Sequence, residues 1–175
     1  MMKTAFKTTA IFLLAMSILC ACKKKTDDTM NFTIDDQNLT DCVQGTCRYE
    51  YVNNAAAVDQ QFALTAGRYR VFSAKKENAF SKTWIYFQAP MQGDKFLLTD
   101  ADILAGKVKH LFSCPTCDYY NLRPIAGSVK GIKVANTGAG SERWLLDAHV
   151  VVGAEKSQIP VDTIHIKQYF NLAVK

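Results

Sequence analysis

The chain has 175 residues, with 21 lysines plus arginines against 16 aspartates plus glutamates, 49% hydrophobic residues, nine glycines and four prolines. That is the composition of an ordinary globular domain and excludes a disordered or low-complexity chain. Only the first 22 residues contain a long apolar run, which excludes a multi-span helical membrane protein and a heptad or collagen fibre.

Lys3 and Lys7 form a short cationic segment, and Thr8 to Leu19 follow as a largely apolar stretch of about a dozen residues. This is the length of a secretory h-region and is short for a membrane span. The stretch ends in Leu19-Cys20-Ala21-Cys22: an aliphatic residue three before a cysteine and a small residue just before it. This resembles the lipobox of bacterial lipoproteins. Cys22 fits the pattern, whereas Cys20 is preceded by the bulky Leu19. The resemblance implies that residues 1–21 are a cleaved signal peptide and that Cys22 is diacylated on sulfur, with its amino group acylated as well in many bacteria. Two or three acyl chains make a stable anchor. Lys23 rather than aspartate follows the cysteine, so the inner-membrane retention signal of some Gram-negative lipoproteins is absent and the outer membrane is expected, on its periplasmic or its surface face. Residues 22–31 then read as the lipidated cysteine and a polar tether, because Lys23-Lys24-Lys25-Thr26-Asp27-Asp28 has no apolar period. Its acidic pair resembles the charged stretch that routes some lipoproteins to the cell surface.

Removing residues 1–21 takes away Lys3 and Lys7 and no acid, leaving 19 basic and 16 acidic side chains, a formal balance of +3. So mild an excess, in an exported chain, argues against nucleic acid as a partner. Four cysteines remain beyond Cys22, with Cys42 and Cys47 spaced C-x4-C and Cys114 and Cys117 spaced C-x2-C. In an oxidising compartment an even set predicts disulfides, and four cysteines allow three connectivities. The two local pairs are preferred, because Gln44-Gly45 and Pro115-Thr116 are turn formers that bring their ends together. A four-thiolate zinc site is the rival reading of the spacing, with His110 four residues before Cys114. Cys114-Pro115-Thr116-Cys117 also has the form of a thiol-exchange motif, but no amphipathic helix follows to lower the first thiol's pKa.

From about Phe32 to Lys175 the dominant period is two, the mark of half-buried strands. Strands are predicted at Cys47 to Val52, Val58 to Leu64, Arg68 to Ala74, Thr83 to Ala89 and Lys95 to Leu98, separated by turn signals such as Met91-Gln92-Gly93-Asp94. Thr99 to Gly106 predicts one helix of about two turns, with a capping threonine, an acid three residues on and a terminal glycine. Asp100 and Asp102 fall short of a calcium loop because Leu104 stands at the next ligand position. Between Ile125 and Val134 the apolar parity changes, which predicts a bulge near Lys130-Gly131. Trp144, Leu146, Ala148, Val150 and Val152 line one face of a strand, and Ile164, Ile166, Phe170 and Leu172 line the apolar face of the last one. The expectation is a single all-β domain over residues 32–175, an antiparallel β-sandwich or small up-and-down β-barrel of about eight strands with one short helix.

Motifs of chemistry are sparse. There is no G-x-S-x-G elbow, H-E-x-x-H pair, Walker loop or strand-borne G-x-G-x-x-G, so no catalytic residue, resident metal or cofactor is assigned. His149 and His165 fall on polar faces of neighbouring strands and are predicted to approach each other, with Asp147 beside His149. Exposed strand histidines are the preferred reading over a metal site. Arg48-Tyr49-Glu50-Tyr51, Arg68 to Phe72 and Tyr119-Tyr120 interleave aromatics with polar residues. They read first as core or cross-strand pairs and second as a platform for a ligand. The function expected is therefore a membrane-anchored envelope domain, held through Cys22, with a binding or structural role toward a glycan, small molecule or protein. The alternative is a thiol-redox or metal-binding protein using Cys42, Cys47, Cys114 and Cys117.

Overall fold

A computed structural model of the chain describes residues 31–116, 121–135, 142–154 and 158–174. The leader, Cys22 and its tether lie outside these, as do Cys117, Tyr119 and Tyr120. The elements in chain order are β1 (Thr46–Ala57), β2 (Leu64–Ala66), β3 (Tyr69–Glu77), β4 (Lys82–Pro90), β5 (Lys95–Leu98), α1 (Asp100–Leu104), β6 (Val108–Ser113), β7 (Leu122–Val134), β8 (Arg143–Ala154) and β9 (Pro160–Leu172). The fold is all-β with one short helix.

The strands form one sheet in the order β5-β7-β8-β9-β1-β3-β4-β6, with β2 added to β1. Two antiparallel meanders are joined side by side, and the joint is parallel: β1 meets β9 only at Glu50 with Asn171 and at Tyr51 with Leu172. The sheet is thus mixed rather than wholly antiparallel. It is also single rather than a two-sheet sandwich, and it curls until its inner face encloses a core. Phe72 on β3 stacks on Phe96 of β5 at 5.3 Å and meets Trp144 of β8 at 5.6 Å and Phe170 of β9 at 5.7 Å. Strands several places apart in the sheet can touch in this way only if the sheet rolls up.

The predicted alternation of β8 holds, since Trp144, Leu146, Ala148, Val150 and Val152 are all buried. The parity change in β7 has a different cause from the one expected. Pairing with β8 runs without interruption through Lys130 and Gly131, and the irregularity lies between Pro124 and Ala126. Gly131 takes an inward position because the Phe96 ring occupies the space of its missing side chain, so Ile132 and Val134 fall on the outer face.

The strand predicted at Val58 to Leu64 is absent. β1 instead continues to Ala57, Gln60 adopts a left-handed φ of 54° that ends the extended run, and only Leu64–Ala66 pairs with β1. The intervening residues cover the outer face of the first meander. There Phe62 packs edge-on against Trp84 at 4.9 Å, above a second cluster of Ala55, Val71, Tyr86 and Leu111. β3 is therefore buried on both faces from Arg70 to Ala74, and burial pushes the Tyr86 hydroxyl up to about 12.

The helix starts as predicted at Thr99, whose backbone N–H donates to Asp102 Oδ2 at 2.9 Å, and Gly106 follows it with φ 78°. It packs on β7, where the Gly127 N–H donates to Asp100 Oδ1. A Gly131→Ala substitution drives a methyl into Phe96 and is expected to cost about 1–3 kcal/mol by overpacking, read as a lower urea midpoint with unchanged slope. Adding Phe96→Leu to that variant should recover part of the loss, and simple additivity of the two changes would contradict the contact.

Candidate functional site

The two ends of the rolled sheet differ in chemistry. At one end Arg70, inward by its parity with Phe72, lies with its guanidinium 4.4 Å from the Trp144 ring centroid. Its Nε donates to Asn53 Oδ1 at 2.9 Å and its Nη2 to the Met91 carbonyl at 3.3 Å, with Glu142 Oε1 at 3.7 Å. Glu142 also accepts from the Trp144 indole at 2.9 Å and pairs with Lys133 at 3.0 Å. Burial alone would raise the Glu142 carboxyl, but the indole N–H and the Lys133 ammonium outweigh it and hold the pKa below the usual value. This end is closed by a charged lid.

The opposite rim gathers the start of β1, the end of β3, the start of β4, the end of β6, the start of β7, the end of β8 and the start of β9. Inside it the barrel is open, forming a cleft of about 210 Å³ with Tyr49, Ala74, Ile85, Ile164 and Ile166 along its walls. Thr40, Asp41, Cys47, Lys76 and Thr83 form the lip. Tyr49 packs edge-on against Phe170 at 5.5 Å, and desolvation raises its hydroxyl pKa. The interior beyond is filled by Phe72, Phe87, Phe96, Leu98 and Trp144, so among the described residues this cleft does not continue through the barrel.

One wall of the mouth is a strap that precedes β1. Thr40 N–H donates to the Lys167 carbonyl and Thr40 Oγ1 accepts from Lys167 N–H, both at 2.8 Å. Asp35 pairs with the Lys167 ammonium at 2.6 Å, and Asp36 accepts from the Tyr169 hydroxyl at 3.2 Å. The strap thereby lies along β9 where β1 has diverged from it. Cys42 and Cys47 are disulfide-bonded, with Cα atoms 5.8 Å apart, as the local pairing predicts, and the bridge fastens the strap to the first turn of the sheet. Two of the four thiolates a zinc site would need are thereby occupied. Cys114 is in a disulfide as well, and Cys117, its expected partner, lies outside the described residues.

A second, wetter cleft of about 270 Å³ lies between β6 and the first half of β7, where the two strands face each other without a ladder. His110 stands in it, Nδ1 3.4 Å from the Leu122 carbonyl, and Lys109 pairs with Asp59 at 3.0 Å. Burial pushes the His110 pKa down against the opposing pull of the Leu122 carbonyl and Asp162.

His149 and His165 are direct cross-strand partners with ring centroids 4.3 Å apart, as their spacing predicts. Both are exposed, Asp147 faces Lys167 across the ladder, and among the described residues no group of three metal-ligating side chains forms. Tyr49, Tyr51 and Phe72 belong to the core or its margin and are not an outer platform. The mouth itself was missed by sequence reasoning, because its walls read only as the ends of ordinary apolar strand faces. Comparison with protein-family models, curated proteins and solved structures finds no match to this chain.

Because the folded-state pKa of His110 lies below its unfolded value of 6.5, the unfolded chain binds the proton more readily. The stability from neutral, buried His110 is fully present above about pH 6.5 and is lost as pH falls from there through the lower folded-state pKa. Urea midpoints of the wild-type protein should therefore fall between pH 7 and pH 5 more steeply than those of His110→Asn. Parallel curves would show that this histidine does not titrate with unfolding.

Proposed function

We propose that the chain is a bacterial lipoprotein, anchored at the outer membrane through Cys22, whose all-β domain acts by binding rather than by catalysis. The anchor half of this reading rests on the ordered signal segment and Leu19-Cys20-Ala21-Cys22. The Cys42–Cys47 disulfide supports export, since such bonds persist in oxidising compartments.

The binding half rests on a single observation, the apolar mouth with Lys76 on its lip. Pockets for whole small-molecule ligands run from about 300 to 1,000 Å³, and this one is smaller. Its 210 Å³ leaves room for an aliphatic side chain or the end of an acyl chain. The ligand class is accordingly a larger molecule that presents one small apolar group, with a negative charge near Lys76.

Fatty-acid labelling in the producing cell is expected to mark the wild-type protein and to be lost in Cys22→Ser, with a matching change in intact mass. An unlabelled wild-type protein that keeps residues 1–21 would overturn the anchor. For the mouth, sodium octanoate should shift the methyl resonances of Ile85 and Ile164 in the folded protein. Thr83→Trp, which fills the opening, should abolish the shift, and an unchanged titration would place binding elsewhere.

A further inference from the structure

The rim around the mouth carries the three most exposed apolar side chains of the described residues once Val174 near the chain end is set aside. Phe80 is 75% exposed, Ile159 72% and Val43 64%, and Val161 follows at 60%, level with Leu104 of α1. Phe80 sits on the β3–β4 turn, Val43 in the disulfide loop, and Ile159 and Val161 at the entry to β9. Gly45 lies against the Glu77 carbonyl and Asn78, which places the Val43 and Phe80 loops side by side.

Both of these loops are held rigid. Asn78 Oδ1 accepts from the backbone N–H groups of Phe80 and Ser81, each at 2.8 Å, and from the Ser81 hydroxyl at 3.2 Å. Val43 is enclosed by the Cys42–Cys47 bridge. Rigid loops present their apolar tips at little further cost in conformational entropy when the tips are buried.

The charges beside the tips carry a small positive excess among the described residues. Arg48, Lys76, Lys82 and Arg123 stand at this rim without an ion pair among the described residues. Among the described residues the acids there are Glu77, which accepts from the Trp84 indole at 3.0 Å and keeps its charge, Asp41 and Asp162, one fewer than the cations. Apolar tips with Lys76 and Lys82 flanking the β3–β4 turn match a surface that is oily inside and anionic outside.

We propose that this rim docks onto an anionic lipid bilayer, with Phe80, Val43, Ile159 and Val161 entering the interface and Lys76 and Lys82 at the headgroups. The proposal goes beyond the anchor reading and uses it only for the origin of the tether. The nine steps from Cys22 to Asn31 span at most about 30 Å when extended. A 12-residue strand such as β8 tilted as in small barrels rises about 30 Å. Phe32 lies toward the other end of the barrel, its carbonyl accepting from Lys95 at 2.9 Å. The two lengths are about equal, so the reach of residues 22–31 is compatible with contact between the rim and the bilayer that holds the anchor. The mouth would then open onto lipid.

The test uses the full-length lipidated protein carrying Phe80→Trp, reconstituted in vesicles containing phosphatidylglycerol with brominated acyl chains. Flotation reads the anchor, and bromine quenching of the new indole, relative to wild-type Trp84 and Trp144, reads the rim. Quenching is expected in Phe80→Trp and, independently, in Val43→Trp. It should weaken by about tenfold with Lys76→Glu and Lys82→Glu combined, or in purely zwitterionic vesicles. A protein that floats with both new indoles unquenched overturns the proposal and leaves the tips to a protein partner. Should the chain carry no anchor, the same quenching is read on protein mixed with the vesicles, and its absence there is equally decisive.

Discussion

The structure depends on one ring. Phe72 sits in the middle of β3 and contacts Tyr51, Phe96, Trp144 and Phe170, which come from β1, β5, β8 and β9. Those strands span both meanders, so the packing of a single side chain decides that the sheet rolls rather than lying open. Each such pair adds about 0.5–1.5 kcal/mol beyond area burial, and four converge here. The glycine at 131 is the geometric counterpart, since only an absent side chain lets Phe96 approach closely enough to stack on Phe72.

Rolling creates two ends, and the residues divide the labour between them. Arg70 at one end is buried, and its cost is offset by Asn53, Met91, Glu142 and the Trp144 face, because a guanidinium removed from water requires partners on most of its N–H groups. Among the described residues no equivalent charge is buried inside the other end. Tyr49 and Ile164 stay partly open at the mouth, and the polar groups there stand on the lip and the outer turns. Binding capacity therefore falls at the rim, by the same logic that places ligands in the mouths of other barrels.

Some of this was legible in the chain and some was not, for reasons that residues make plain. Trp144 to Val152 alternates so regularly that its inward face could be read directly, and His149 and His165 follow as hairpin neighbours. The helix was legible from Thr99, Asp102 and Gly106, which act locally. Arg70 was not, because alternation marks a charged residue as outward and only the distant Trp144 and Glu142 reverse that. Gly131 misled in the opposite sense: a glycine at a change of parity reads as a bulge, whereas here it is an inward position emptied for Phe96. The parallel contact of β1 with β9 and the partnership of β5 with β7 join segments with no local signal between them, and the mouth is a product of those joints.

The disulfide gains its meaning from the same joint. Closing a loop as short as Cys42 to Cys47 constrains the unfolded chain by only about 2 kcal/mol in the loop-entropy account. Its larger effect is positional. β1 and β9 share a ladder at two residue pairs, and below them the strands part, leaving β9 without a partner on that side. Thr40 supplies one, bonding Lys167 through both its backbone and its hydroxyl, while Asp35 and Asp36 fix the strap to Lys167 and Tyr169. Hydrogen bonds of this kind each contribute about 0.5–1.5 kcal/mol, too little singly to hold a free segment against its own entropy. With its end fastened to Cys47, the strap loses less conformational freedom in making these bonds, so the wedge stays filled, the joint between the meanders holds, and one wall of the mouth remains in place.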